Sequence, residues 1–127
     1  MTANPARLLV RDQVKTAQPT WNVLAEARTP DAVIKPTAVV WTAQLARLDA
    51  GGGQFIQSTV ELWLLPPSDL QPGPLEDKAD AMLLEALNVV ETTEGLTWSQ
   101  ATRGALDGAF HGWHLTLTVA HQLTKEA

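Results

Sequence analysis

The chain of 127 residues contains no cysteine and no tyrosine, and it has only three histidines. The lack of cysteine excludes disulfides, thiol catalysis and thiolate metal sites. No run of about 18 apolar residues is present, so the sequence predicts no membrane-spanning helix. Residues 1–10 lack the basic start and the long apolar stretch of a signal peptide. We therefore expect a protein that is cytoplasmic where it is made.

Motifs of catalysis and of phosphate binding are also missing. There is no G-x-S-x-G turn that would present a nucleophilic serine. The glycines at 51–53 lack the Lys-Ser/Thr pair of a phosphate-binding loop, and we interpret them as a hairpin turn. His111, His114 and His121 fall on one predicted strand, where consecutive histidines point to opposite faces. The sequence therefore predicts no enzyme, no cofactor and no metal site.

Acidic residues outnumber basic ones, and the two signs are unevenly distributed. The net charge is −5, which disfavours a general nucleic-acid-binding protein. Residues 1–50 carry six basic and four acidic side chains, whereas residues 51–127 carry three basic and ten acidic side chains. Such an asymmetry suits head-to-tail contacts between copies of a protein. The alternative interpretation is a chance distribution over a solvated surface.

The composition and the hydrophobic spacing predict one globular domain that spans 1–127. Hydrophobic residues make up 45% of the chain and charged residues 18%, as in an ordinary folded domain. The spacing predicts helices at 5–16 and 74–92 and strands at 20–27, 37–48, 54–65, 96–102 and 109–123. The order α-β-β-β-α-β-β predicts an α+β fold, with a mostly antiparallel sheet of about four to five strands and two main helices packed on one face.

The strongest local pattern is a β-hairpin in which 37–48 and 54–65 flank a glycine-rich segment at 49–53. In each run, alternate residues are apolar and form one face. A loop of about four residues would bring the two apolar faces onto the same side of the hairpin. These faces consist of Val39, Trp41, Ala43 and Leu45 in the first run and of Ile56, Val60, Leu62 and Leu64 in the second.

Two further turns are predicted from glycines in the second half of the chain. Gly95 is placed to end the helix at 74–92. Residues 103–108 contain two glycines and are interpreted as the turn between the last two strands.

Charged side chains on the two predicted helices form candidate contact surfaces. The first helix presents basic residues at four-residue spacing, namely Arg7, Arg11 and Lys15. The second helix presents acidic residues near its start, namely Glu76, Asp77 and Asp80, which also suit the positive end of the helix dipole. In a ring, the basic helix of one subunit would face the acidic residues of the next. The alternative for both groups is a solvated helix face.

The chain has five tryptophans, one in each predicted strand, and most of them suit a core position. Trp63 differs because it shares a strand face with the polar side chains of that strand. Phe55 and Leu65 lie on the same face. An exposed tryptophan beside other apolar groups is typical of an interface anchor, so we predict that these three residues contact a protein partner. The alternative is that the proline-rich loop at 66–74 covers Trp63.

The layout of these elements resembles the tail terminator proteins of long-tailed bacteriophages, of the lambda type. The likeness covers nearly the whole chain and is carried by four stretches. They are Lys35–Trp41, Ser58–Pro67, Leu75–Val90 and Trp113–Val119. The match lies in element order, length and patterning, and no short motif allows residues of the family to be carried over one by one.

The resemblance implies a structural virion protein rather than an enzyme. Copies, six in the expected ring, would cap the tail tube, end its polymerisation and offer an attachment surface for the head or neck. The implied partners are the protein itself, the tail tube protein and a head or neck connector protein, with no membrane. DNA would only pass through the ring. The implied location is the head-proximal end of the virion tail, after assembly in the host cytoplasm.

Two other functions remain open at this point. Another head–tail connector or neck protein shares parts of the layout, and a small non-phage protein-binding module fits the composition. The number of subunits in solution separates a ring-forming protein from a monomeric or dimeric binding module.

Overall fold

The fold is described by a computed structural model that covers residues 6–27, 30–50 and 53–122, without the side chains at 47–50, 53–55, 121 and 122. These residues form two helices and one five-stranded mixed sheet in the order α-β-β-β-α-β-β, which confirms the predicted α+β fold. The helices are α1 (Ala6–Ala17) and α2 (Pro72–Thr92). The strands are β1 (Asn22–Leu24), β2 (Thr37–Ala50), β3 (Gly53–Leu65), β4 (Leu96–Leu106) and β5 (Phe110–Gln122).

The strands lie side by side in the order β1-β2-β3-β5-β4. All neighbouring pairs are antiparallel except β1 and β2, which are parallel. Strand β1 is shorter than the predicted strand at 20–27, because only its three residues pair with Thr37–Val39. Beyond Leu24 the chain leaves the sheet, so most of β2 has a partner strand on one side only among the described residues.

Both helices pack on the same face of the sheet and build the main core with it. Helix α1 contacts β1, β2 and β3, while α2 contacts β3, β5 and β4. The apolar side chains recur at three- and four-residue steps, which gives each helix one buried stripe. Burial of each large aliphatic side chain contributes roughly 1.5–3 kcal/mol. The main core includes Val10 and Val14 of α1, Met82, Ala86 and Val90 of α2, and Leu62, Leu64, Leu115 and Leu117 of the sheet.

A second, smaller cluster lies on the other face of the sheet, at one end. Its buried members are Val33, Val39, Leu65 and Leu106, and Leu24, Trp41, Trp63 and Phe110 pack against them. Val33 reaches this face from the loop after β1. The loop is held in place by Ser68, whose backbone N–H and hydroxyl both donate to the Val33 carbonyl, at 2.9 and 3.1 Å.

The predicted alignment of the hairpin faces is wrong for the half of β2 that enters the core. Val39 pairs with Trp63, so it points away from the helices rather than toward them. The cause is a β-bulge between Thr42 and Gln44. An extra residue in one strand shifts the register by one, and a shift of one residue exchanges the two faces. On the loop side of the bulge, where Leu45 pairs with Ser58, the predicted relation holds.

The turn predicted at 103–108 is shorter in the structure, because β4 continues to Leu106. The chain reverses at Asp107 and Gly108, whose φ angles of 54° and 69° both lie in the left-handed region that a type I′ turn requires. The Ala109 N–H donates to the Leu106 carbonyl at 3.0 Å and closes the turn.

Helix α2 also begins earlier than predicted, with Pro72 in its first turn. Glu76 and Asp77 therefore lie beyond the first turn, where the helix dipole has little effect. The helix ends before Gly95, because Thr93 caps it by donating its backbone N–H to the Val90 carbonyl. Gly95 has a φ of 82° and belongs to the turn that leads into β4.

Gly112 and Gly104, which pair across β4 and β5, provide a test of this packing. A Cβ on Gly112 would lie 2.0 Å from the Leu64 carbonyl oxygen, whereas one on Gly104 would make an ordinary contact of 3.5 Å with the Trp63 ring. We expect Gly112→Ala to lower the free energy of unfolding by about 3 kcal/mol. The matched Gly104→Ala should change it by less than about 1 kcal/mol in the same urea titration. Equal effects would contradict the close approach of β3 and β5.

Candidate assembly surfaces

The basic residues of α1 hold the segment around β1 in place. Lys15 Nζ donates to the carbonyl oxygens of Pro19 and Trp21, at 3.0 and 2.7 Å. Arg7 Nη1 donates to the Ala25 carbonyl at 2.8 Å. Two of the three predicted contact residues, Arg7 and Lys15, therefore make intramolecular hydrogen bonds to the backbone on either side of β1.

Arg11 is the most available of the three basic residues. Its guanidinium binds the Asp12 carboxylate next to it at 2.9 Å, and the two side chains are 41% and 55% exposed. An exposed ion pair of this kind contributes at most about 1 kcal/mol, so a partner carboxylate can replace Asp12 at little cost.

An open groove of about 620 Å³ runs beside these basic residues. One wall is formed by Arg7 and Arg11 of α1, and the other by the segment 23–27 and by Trp41 and Thr42 of β2. Glu26 belongs to the second wall, so the groove places two cationic side chains and one carboxylate beside the outer side of β2. This arrangement fits a segment of polypeptide that carries negative charge nearby.

The acidic residues of α2 are divided between contacts within the chain and solvent. Glu76 accepts a hydrogen bond from Arg103 of β4, and Asp80 accepts one from Trp113 Nε1 at 3.1 Å. The Arg103 guanidinium also lies 5.6 Å from the centre of the Trp113 ring. Glu76 and Asp80 therefore fasten α2 to the last hairpin, while Asp77 is exposed to solvent.

Within one chain the two charged groups are kept apart. Helix α1 lies over the β1–β2 half of the sheet and carries three basic residues and one acidic residue. Helix α2 lies over the β5–β4 half and carries five acidic residues and one lysine. The uneven charge of the sequence thus becomes a separation of charge across the width of the sheet.

The structure corrects the prediction that Trp63 and Leu65 form an exposed anchor. Leu65 is completely buried in the second cluster, and Trp63 is half-buried there. The Trp63 ring stacks on His114, with centroids 4.4 Å apart and planes 10° from parallel. The cover comes from Val33 and the β4–β5 hairpin, and the proline-rich loop contributes indirectly through Ser68. The Phe55 side chain lies outside the described residues.

Among the described side chains, four large apolar ones are exposed and were not predicted as contact residues. Leu45 of β2 and Ile34, just before β2, are 64% and 84% exposed. Leu84 of α2 and Trp98 of β4 are 68% and 40% exposed, and Trp98 Nε1 donates to Glu91 at 2.9 Å. Ile34 and Leu45 therefore lie at the β2 edge of the sheet, and Leu84 and Trp98 lie toward the β4 edge. Leu45 and Trp98 occupy strand positions that the alternation assigns to the core, so only the arrangement of the helices reveals their exposure.

The histidines do not come together into a site. Across the described ranges, no group of three His, Asp or Glu side chains is arranged to hold a metal ion. His114 Nε2 is 3.5 Å from Glu61 Oε1 and has no hydrogen-bond partner among the described residues. His111 is exposed, and the His121 side chain lies outside the description. No helix within the described ranges is long and apolar enough to cross a bilayer.

Comparison with known proteins adds no family assignment. No protein-family model matches the chain, and no curated protein sequence matches it.

The packing of Trp63 can be tested against Trp98, the exposed tryptophan of β4. We expect Trp63→Ala to lower the free energy of unfolding by roughly 2–3 kcal/mol, because it removes the His114 stack and opens a cavity in the second cluster. Trp98→Ala should cost about 1 kcal/mol or less, since it loses mainly one exposed hydrogen bond. Urea unfolding followed by circular dichroism measures both. A fully stable Trp63→Ala variant would restore the exposed-anchor interpretation.

Proposed function

We propose that this protein is a self-assembling structural subunit, and specifically a tail terminator of a long-tailed bacteriophage. Copies form a ring, with six as the expected number, on the end of the growing tail tube. The ring stops further addition of tube protein and presents a surface to the head or neck. The proposal is supported by the resemblance of the sequence and by the distribution of charged and apolar groups over the surface.

The observation that carries the proposal is the separation of charge across the sheet. The α1 side of one copy is complementary to the α2 side of a second copy, and each side also exposes two large apolar side chains. When the α1 side of one copy binds the α2 side of the next, the first copy still has a free α2 side and the last copy a free α1 side. Such a contact repeats from copy to copy and forms a ring when the rotation closes.

Passage of DNA is compatible with the surface that the helices leave uncovered. Trp63, Glu61 and Thr59 of β3 share this face with His114, Thr116 and Thr118 of β5. The described strand residues of this face include no lysine or arginine, so the strands themselves offer no cation to the phosphates. A protein that lets DNA slide past requires weak contacts of this kind, because cationic contacts to phosphate dominate affinity for DNA.

The function is tested by adding the purified protein to polymerising tail tube protein from the same genome. We expect shorter tubes, with a ring at one end in electron micrographs, and a ring of defined mass in light scattering. Arg11→Glu should weaken capping by about fivefold, because it reverses charge on the basic side. The matched Lys78→Glu makes the same change on the acidic side and should leave capping intact. Tubes that grow unchanged beside the wild-type protein would contradict the proposal.

A further inference from the structure

We propose that neighbouring copies join through backbone hydrogen bonds between the outer edge of β2 in one copy and the outer edge of β4 in the next. This inference rests on the proposed function in that both require repeated self-assembly. It goes further because it names the two elements that meet and the kind of bond that joins them.

The outer edge of β2 is open over most of its length. Strand β1 pairs with Thr37–Val39, and no other strand among the described residues pairs with that side of β2. The Asn22 N–H donates to the Pro36 carbonyl at 2.9 Å, so the backbone carbonyl of Pro36 points toward β1, on the outer side of β2. The backbone N–H and C=O groups of successive residues point to opposite sides of a strand. Thr42 is an even number of residues from Pro36, so its backbone groups point to the open edge. Beyond the bulge at Ala43, the alternation brings Leu45 to the same edge.

Strand β4 forms the other edge of the sheet, since β5 is its one partner strand among the described residues. The two open edges have similar lengths. Strand β4 has 11 residues, and β2 has 14 residues, of which three pair with β1. At about 3.3 Å per residue, each open edge extends over roughly 35 Å.

Charged residues and proline, two of the features that usually prevent strand pairing between molecules, are missing from the middle of both edges. Exposed edges are commonly protected by lysine or other charged residues, by proline or by β-bulges. The segments Val40–Ala46 and Leu96–Thr102 contain no charged residue and no proline. Each has one bulge, at Ala43 and at Ser99, as its only such feature. Each segment therefore offers an uncharged stretch of backbone donors and acceptors.

A second copy of the chain is the occupant that fits each edge. The groove beside β2 is lined by two arginines, Arg7 and Arg11, and one carboxylate, Glu26. Strand β4 lies beside α2, which carries five acidic residues and one lysine, so the net charges of the two approaching edges are opposite. Leu45 on one edge and Trp98 on the other add exposed apolar area to the contact.

Strand direction also agrees with ring formation. Strand β2 is antiparallel to β3, β3 to β5, and β5 to β4. Strands β2 and β4 therefore run in opposite directions within one copy. Rotation about an axis along the strands preserves this relation between neighbours, and the two edges meet as an antiparallel pair.

Leu45→Pro tests the backbone contact. Proline is tolerated on an edge strand where the lost N–H has no partner within the molecule. We expect at least a tenfold loss of self-association by light scattering, with the circular dichroism spectrum and the melting temperature of the monomer nearly unchanged. The matched Leu45→Ala keeps the N–H and should lose less than about threefold. A folded Leu45→Pro variant that assembles like the wild type would overturn the inference.

A cysteine pair tests the same contact without proline. The chain has no cysteine of its own, and Gln44 of β2 and Gln100 of β4 are exposed on the face without helices. A protein with both Gln44→Cys and Gln100→Cys, treated with a short thiol-reactive crosslinker, should give a ladder of covalent oligomers. Either single variant should stay uncrosslinked. The absence of a ladder from an assembled double variant would overturn the inference, even if Leu45→Pro fails to fold.

The two proposals fail in different ways. Wild-type oligomers that give the ladder but ignore tail tubes would support the edge contact and overturn the terminator function. Capped tubes with no ladder and normal assembly of Leu45→Pro would overturn the edge contact and leave the terminator function in place. A wild-type protein that stays monomeric with and without tubes would overturn both.

Discussion

Strand β2 carries the constraint on which the rest of the molecule depends. On one side it pairs with β3 along its whole length, and on the other it pairs with only three residues of β1. The first pairing, with its bulge at Ala43, decides which side chains face the helices and which form the second cluster. The second pairing, because it stops at Leu24, leaves the open edge and the groove beside α1. Both cores and the proposed assembly contact therefore depend on how this one strand is paired.

Charge and backbone have different roles in the proposed contact. Exposed ion pairs contribute little free energy, so residues such as Arg11 would mainly bring the correct sides together and prevent incorrect ones. Affinity would come from backbone hydrogen bonds and from the apolar area around Leu45 and Trp98. Several charged residues of the candidate surfaces already have intramolecular roles. Arg7 and Lys15 hold the segment around β1, and Glu76 holds Arg103.

The sequence predicted the elements better than it predicted their faces. The helices and their order follow from three- and four-residue spacing, which is a local property of the chain. The bulge at Ala43 has no local signal, because it arises from the register between two strands. The burial of Leu65 depends on Val33, more than 30 residues away along the chain, and the exposure of Leu45 depends on where the helices end. The charged residues of the candidate surfaces could be listed from the sequence, but their separation across the sheet required the strand order.

In the proposed assembly, copies associate through two different edges of one sheet. Hydrogen–deuterium exchange measured by mass spectrometry, on the dilute monomer and on the assembled ring, tests it most directly. We predict that assembly slows exchange in both 40–46 and 96–102, and that the buried faces of α1 and α2 exchange as before. Slower exchange at only one of the two edges would indicate a contact between identical surfaces. Unchanged exchange at both edges in a fully assembled ring would contradict the contact between β2 and β4.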